Sequence, residues 1–152
     1  MPTYGKKSLQ VRSELHPELA LIFDTALELG YDHILAEGYR NRARQHGFFI
    51  AVPQLSKVDY PTVHNTRPCW AVDAYVYEHD KGADYDERQA SDFAGFIKAV
   101  ALMLLKEGKI THKIRCGNDW DKDWDINDQT FNDPGHFELV PNPKDVLNYF
   151  EV

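Results

Sequence analysis

Apolar residues recur at helical spacing over Leu19, Ile22, Phe23, Ala26 and Leu27, after Pro17 and before Gly30, which predicts a helix with one buried face. Ser13 is its expected cap. Residues 32–37, centred on Ile34 and Leu35, read as a short strand ending at Gly38, with Tyr39 and Arg40 where the chain leaves the sheet. A weaker helical pattern runs from Asn41 to about Ile50, and Pro53 closes it. Between Pro61 and Pro68 the polar segment 62–67 predicts an irregular connection that presents His64 rather than burying it.

Residues 70–77 alternate, with Trp70, Val72, Ala74 and Val76 on one side and Ala71, Asp73, Tyr75 and Tyr77 on the other. This is the pattern of a central strand. The longest predicted helix covers 86–107, with an apolar face of Phe93, Phe96, Ile97, Val100, Leu104 and Leu105 and with Gly108 just past its end. Two further short strands are predicted at 113–116 and 136–139. Between them, 117–134 is rich in Asp, Asn and Trp and has no period, the mark of a long surface loop; such loops in compact domains often carry function. Pro141 and Pro143 open the last stretch, which continues to 152 as a short amphipathic tail with Val146, Leu147, Tyr149 and Phe150. Neither an internal repeat nor a low-complexity tract interrupts the chain. Together these elements predict an α+β fold, a small and mostly antiparallel sheet with helices packed on one face.

Composition narrows the partners. At 152 residues the chain fits one domain, 1–152, long enough to bury a core without staples. A formal charge of −7 repels nucleic acid and anionic membrane surfaces, so neither is an expected partner, and the arginines at 40, 42 and 44 read as a solvated helix face. No apolar run reaches transmembrane length, and the first residues are not followed by the apolar core of a signal peptide, which places the chain at first in a cytoplasm. Cys69 and Cys116 form no CxxC pattern and read as reduced thiols.

The chemistry begins with Asp73. An aspartate inside an alternating strand costs on the order of several kcal/mol if buried without a partner, so it needs a cation or a donor. His64, Asp73 and His136 together make the nitrogen-and-oxygen triplet with which zinc hydrolases hold their ion, leaving a fourth position for water. There is no HExxH helix, so these ligands must converge from a loop and two strands. Asp133 stands three residues before His136, across a Pro134–Gly135 turn, where a carboxylate can take a proton from an attacking water. Glu138 shares a strand face with His136 and is placed to orient a ligand or to bind a substrate amine. Each residue also has a plainer reading: a hydrogen-bonded histidine, a turn at Asp133-Pro134-Gly135, a salt bridge at Arg40. His16, His33, His46, His79 and His112 have no carboxylate arrangement around them that reads as a site.

Four blocks in order give a resemblance. Glu37-Gly38-Tyr39-Arg40, followed by Gln45, resembles a Gly-Tyr-Arg segment; the stretch from His64 to Asp73 resembles a first metal block; Arg115-Cys116-Gly117-Asn118-Asp119-Trp120 resembles a Gly-Gly-Asp-Trp block; and Asp133 to Leu139 resembles a terminal Asp-x-x-His-x-Glu block. They are those of the zinc-dependent peptidoglycan peptidases, the D-Ala-D-Ala carboxypeptidase and L-alanyl-D-glutamate endopeptidase family, especially single-domain bacteriophage endolysins. The family's commonest histidine-to-aspartate spacing falls on Thr66 here, and the longer step from His64 matches a variant form. Cys69 replaces a more usual serine and Asn118 a glycine.

The resemblance implies a Hedgehog/DD-peptidase-like fold and zinc on His64, Asp73 and His136. It implies Asp133 as catalytic base, Arg40 as a group that binds substrate or steadies developing charge, and Glu138, Asp119 and Trp120 as substrate-binding residues. It further implies a monomer acting on the peptidoglycan stem peptide, most closely an L-alanyl-D-glutamate endopeptidase. Such an enzyme waits in the host cytoplasm, without stable membrane association, until holin-type release to the cell wall. The alternatives are a D-Ala-D-Ala carboxypeptidase or dipeptidase, a non-catalytic zinc-containing wall-binding module, and a protein with a purely structural zinc.

Overall fold

The computed structural model describes residues 1–143, so the predicted tail positions Val146, Leu147, Tyr149 and Phe150 lie outside the described residues. The chain runs through α1 (Lys6–Glu14), α2 (Pro17–Glu28), β1 (His33–Glu37), α3 (Arg42–Ile50), a 3-10 turn (Val63–Asn65), β2 (Ala71–Glu78), β3 (Gly82–Asp84), α4 (Glu87–Lys106), β4 (Lys113–Gly117) and β5 (Asp133–Val140). The strands form one antiparallel sheet in the order β1-β2-β5-β4, with β3 paired to the far half of β2. The fold class is therefore the predicted one.

Strand alternation divides the molecule into two faces. Toward the helices point Leu35, Val72, Ala74, Val76, Ile114, Cys116, Phe137 and Leu139, which join Leu19, Ile22 and Phe23 of α2 and Phe93, Ile97, Val100 and Leu104 of α4 in one core. Phe137 meets Phe23 edge-on at 5.2 Å and Phe93 at 5.8 Å. Onto the opposite, open face the same alternation puts Asp73, His136, Glu138 and Arg115. Asp73 pairs with His136 across β2 and β5, and Glu138 pairs with Ala71 on one side and Arg115 on the other. Burying the apolar face of β5 therefore fixes where its polar face points.

Two glycines let this sheet close. A Cβ on Gly117 would sit 2.1 Å from the carbonyl oxygen of Asp133, and one on Gly135 would sit 2.5 Å from the Tyr75 ring. Only glycine permits the approach that brings Asp133 and His136 against their neighbours.

The local chemistry departs from expectation in four places. Ser13 is not the cap of α2; it lies inside α1 and returns its hydroxyl to the Gln10 carbonyl. His16 caps α2 instead, its Nδ1 accepting from Glu18 N at 3.1 Å. α1 was not predicted because its buried side is thin, Ser8 and Val11 alone, with Leu9 exposed. β3 is three residues long and carries no alternating apolar pattern. Fourth, His64 is buried, not presented: Thr62 Oγ1 accepts from His64 N at 3.2 Å, Asn65 Oδ1 accepts from Thr62 N, and this capping box folds 62–65 into a tight turn against the sheet. Gly108, expected past the end of the long helix, has a φ of 73°, and Asp86, the first residue of the predicted span, caps α4.

Candidate metal centre

Three parts of the chain deliver the donors. The turn carrying His64 is clamped to the end of β1: Arg40 N donates to the His64 carbonyl at 2.7 Å and Asn65 Nδ2 donates to the Arg40 carbonyl at 2.8 Å. Asp73 and His136 arrive as a cross-strand pair. The result is a triangle of His64 Nε2, Asp73 Oδ1 and His136 Nδ1, with edges of 3.3 Å between the histidines, 3.3 Å from His136 to Asp73 and 3.6 Å from His64 to Asp73.

Every other polar atom of the three side chains is already held. His64 Nδ1 donates to the Gly38 carbonyl at 2.7 Å, which leaves Nε2 with a lone pair. His136 Nε2 donates to Glu138 Oε1 at 3.0 Å, which leaves Nδ1. Asp73 Oδ2 accepts from Arg40 Nη2 at 2.8 Å, which leaves Oδ1. Zinc bound at about 2.0–2.1 Å in a tetrahedron spaces its ligands about 3.3–3.4 Å apart. The observed edges match that spacing, so the donor set fits a small divalent ion.

Electrostatics agree with a cation here. Burial would raise the Asp73 carboxyl, but His64 and His136 outweigh it and hold it far below its usual range. Burial would likewise lower His136, yet its contacts with Asp73 and Glu138 push it up to about 10: the pocket attracts positive charge strongly.

No protein-family model matches this chain, and no curated protein does. A solved structure does. The chain is similar to the LdcB LD-carboxypeptidase, whose structure reveals the molecular basis of peptidoglycan recognition, at 22% identity over 83% of this chain and 59% of that one, with a TM-score of 0.45. The chain thus spans less than two thirds of that neighbour's length.

Beside the triangle, Asp133 starts β5. Its carboxylate accepts no hydrogen bond from any described residue. Burial, then the nearby Asp73 charge, raise its pKa, only partly offset by His136, His64 and Arg40. A carboxylate so placed holds a proton more readily than one in water. Trp120 lies along the other side, its ring 5.4 Å from that of His136, fixed by stacking on Phe131 and by donating Nε1–H to the Phe131 carbonyl at 2.7 Å.

Three of the expected site residues are held by protein contacts. Of the two roles expected of Glu138 the geometry matches the orienting of a ligand: Oε1 takes His136, and Oε2 takes Arg115 Nη2 at 3.0 Å and Asn142 Nδ2 at 2.7 Å. Asp119 is held in the same way. It is almost fully buried and accepts from Lys98 Nζ, Asp123 N and Trp124 N, anchoring the loop that carries Trp120. Arg40 commits N–H groups to Glu37, Gln45 and Asp73, and so positions the Asp73 carboxylate.

Sequence reasoning missed the supports. Fully buried Gln45 accepts from Arg40 and donates to Ser56 and Val58, and Arg115 and Asn142 hold Glu138. Cys69 is sealed in the core, and burial raises its thiol to about 12. Two other donor groups exist among the described residues, His16/Glu18/His112 and Asp119/Asp121/Asp123. In the first, Glu18 contacts His112, a carboxylate 94 positions away in the chain, and His16 is occupied as a helix cap.

The Glu138 contact is testable. Glu138→Gln keeps the size but removes the charge that fixes the His136 tautomer, and is expected to weaken zinc affinity by about 10–100-fold, read by competition with a chelating dye. Unchanged affinity would remove Glu138 from the site.

Proposed function

We propose that this chain is a zinc-dependent peptidase that hydrolyses an amide bond in the peptidoglycan stem peptide, in the specific form of an L-alanyl-D-glutamate endopeptidase of the endolysin type. The observation that carries the metal reading is the triangle of three donor atoms at tetrahedral spacing, with all their outer partners satisfied. His64, Asp73 and His136 would hold the ion, and two imidazoles with one carboxylate favour zinc over magnesium or calcium. When bound, zinc supplies Lewis acidity toward a carbonyl oxygen and lowers the pKa of water to around 7.

The chain's own residues supply the rest. Asp133 accepts the proton of the attacking water and returns it to the leaving amine, a role suited to a carboxylate with raised pKa and no competing donor. Gly38 and Glu138 fix the ring tautomers, and Arg40 keeps Asp73 turned inward. Trp120 gives the substrate an aromatic wall. The peptidoglycan stem as substrate rests on the four sequence blocks, whose outer members, Arg40 and Trp120, border the same triangle.

Purified cell walls incubated with zinc-loaded protein are expected to release muropeptides with new amino and carboxyl termini at the L-alanyl-D-glutamate bond, seen by mass spectrometry. Release of single D-alanine instead would make it a carboxypeptidase. No new termini at all would overturn the peptidase reading.

A further inference from the structure

The open face continues beyond the metal centre into a basic pocket. About 460 Å³ in volume, it is lined by Thr111, Lys113, Arg115, Lys122, Val140 and Pro141. Three of these residues are cations and none is acidic, in a chain of formal charge −7. Lys113 and Arg115 share a face of β4 because they are two residues apart, and Lys122 comes from the neighbouring loop with a left-handed φ of 63°. Neither lysine is neutralised within the described residues, where the lysine ion pairs are Lys81–Glu78, Lys98–Asp119 and Lys109–Glu107. Asp121 lines an adjoining cavity with both lysines but pairs with neither. Arg115 is paired with Glu138, whereas Lys113 and Lys122 meet no carboxylate in an ion pair among the described residues; two such cations at one concavity create a local positive field, which attracts an anion.

The sheet register connects this pocket to the centre. Arg115 lies opposite Glu138 and donates to it at 3.0 Å, and Glu138 in turn holds His136; Lys113 lies opposite Val140. At ~3.4 Å per strand residue, these two cations stand roughly 7 and 14 Å along β5 from His136. An extended peptide advances about 3.3–3.6 Å per residue, so the same span corresponds to about two to four substrate residues.

We propose that the pocket is a subsite for a free carboxylate of the substrate, two to four residues from the hydrolysed amide. The inference rests on the peptidase reading above. Lys113 and Lys122 make the contact, and Arg115 lends its charge while holding Glu138. Specificity then comes from an acidic group remote from the bond that breaks.

The test uses stem pentapeptides that differ only in a free carboxylate or a primary amide at each of those positions. Zinc-loaded protein is expected to show a KM about tenfold lower for one free acid than for its amide, a gap that narrows with added salt. The double variant Lys113→Gln/Lys122→Gln is expected to lose that preference through a higher KM for the acid, whereas Lys81→Gln, a control on a distant surface, keeps it. Calorimetric titration of uncleaved acid and amide peptides into the Asp133→Asn protein is expected to rank their affinities in the same order. Equal KM values for every acid and amide pair, or a preference that survives in the double variant, overturn the subsite and leave the peptidase reading standing. Absence of hydrolysis for all the peptides overturns the peptidase reading and the subsite with it.

Discussion

Asp133→Asn is expected to slow amide hydrolysis by about 10²–10⁴-fold, the usual contribution of a positioned general base, while zinc content and melting temperature stay as they were. The substitution changes one oxygen to an amide nitrogen and leaves the side chain's size intact. It breaks no hydrogen bond, because the carboxylate accepts none from the described residues, and it lies outside the donor triangle. What it removes is the ability to accept a proton beside the place where water must attack. Because burial and the Asp73 charge raise this carboxyl, the group lost is a stronger base than a surface aspartate. The variant also separates the enzyme from a wall-binding module: a module would hold peptidoglycan equally well with either residue and would turn over with neither. Full turnover in the variant, measured as released muropeptide per unit time, would show that another group moves the proton.

The sheet and its long helices were legible because their periods are long and clean. Residues 70–77 alternate without a break, and α4 carries an apolar stripe along its length. The donor triplet was legible for a different reason: an aspartate in the middle of an apolar strand demands a partner, and Asp73 has three, Arg40 and the two histidines. What the sequence hid is how those side chains are oriented. Gly38 acts through its carbonyl, and any residue type there offers a carbonyl. Gln45 and Asn142 are common polar residues whose importance comes only from what the fold places beside them.

The errors have one origin as well. Polar composition at 62–67 suggested a solvent-facing connection, but Thr62 and Asn65 spend their polar atoms on the turn itself and leave His64 free to be buried. The family resemblance made Glu138 and Asp119 candidates for substrate contact, and each accepts three hydrogen bonds from the protein. In each case the sequence revealed a capacity for hydrogen bonding, and only the fold determined whether it was used internally. Asp133 is the exception that strengthens the functional reading: a largely enclosed carboxylate that accepts no hydrogen bond among the described residues.

Removing the metal with a chelator is expected to abolish hydrolysis and lower the melting temperature, yet leave a folded protein. The argument is spatial. The hydrophobic core lies on the helix face of the sheet and contains none of the three donors, so cohesion does not depend on an ion. Asp73 keeps Arg40 as a partner at 2.8 Å when the metal leaves, and both histidines keep their outer hydrogen bonds. The ion still binds only the native state, because the unfolded chain does not assemble the triangle. At a free zinc concentration about 1,000 times its dissociation constant, that linkage stabilises by ~4.1 kcal/mol. For a chain of this size it corresponds to a fall in melting temperature on chelation of roughly 8–16 °C. Far-UV circular dichroism of the stripped protein at 25 °C should remain native-like, and zinc should restore both activity and melting temperature. A purely structural zinc predicts the opposite pattern, loss of the fold on chelation. Hydrolysis that continues undiminished in excess chelator, with zinc verified absent from the protein, would remove the metal from the mechanism and leave the triangle of His64, Asp73 and His136 as a hydrogen-bonded cluster only.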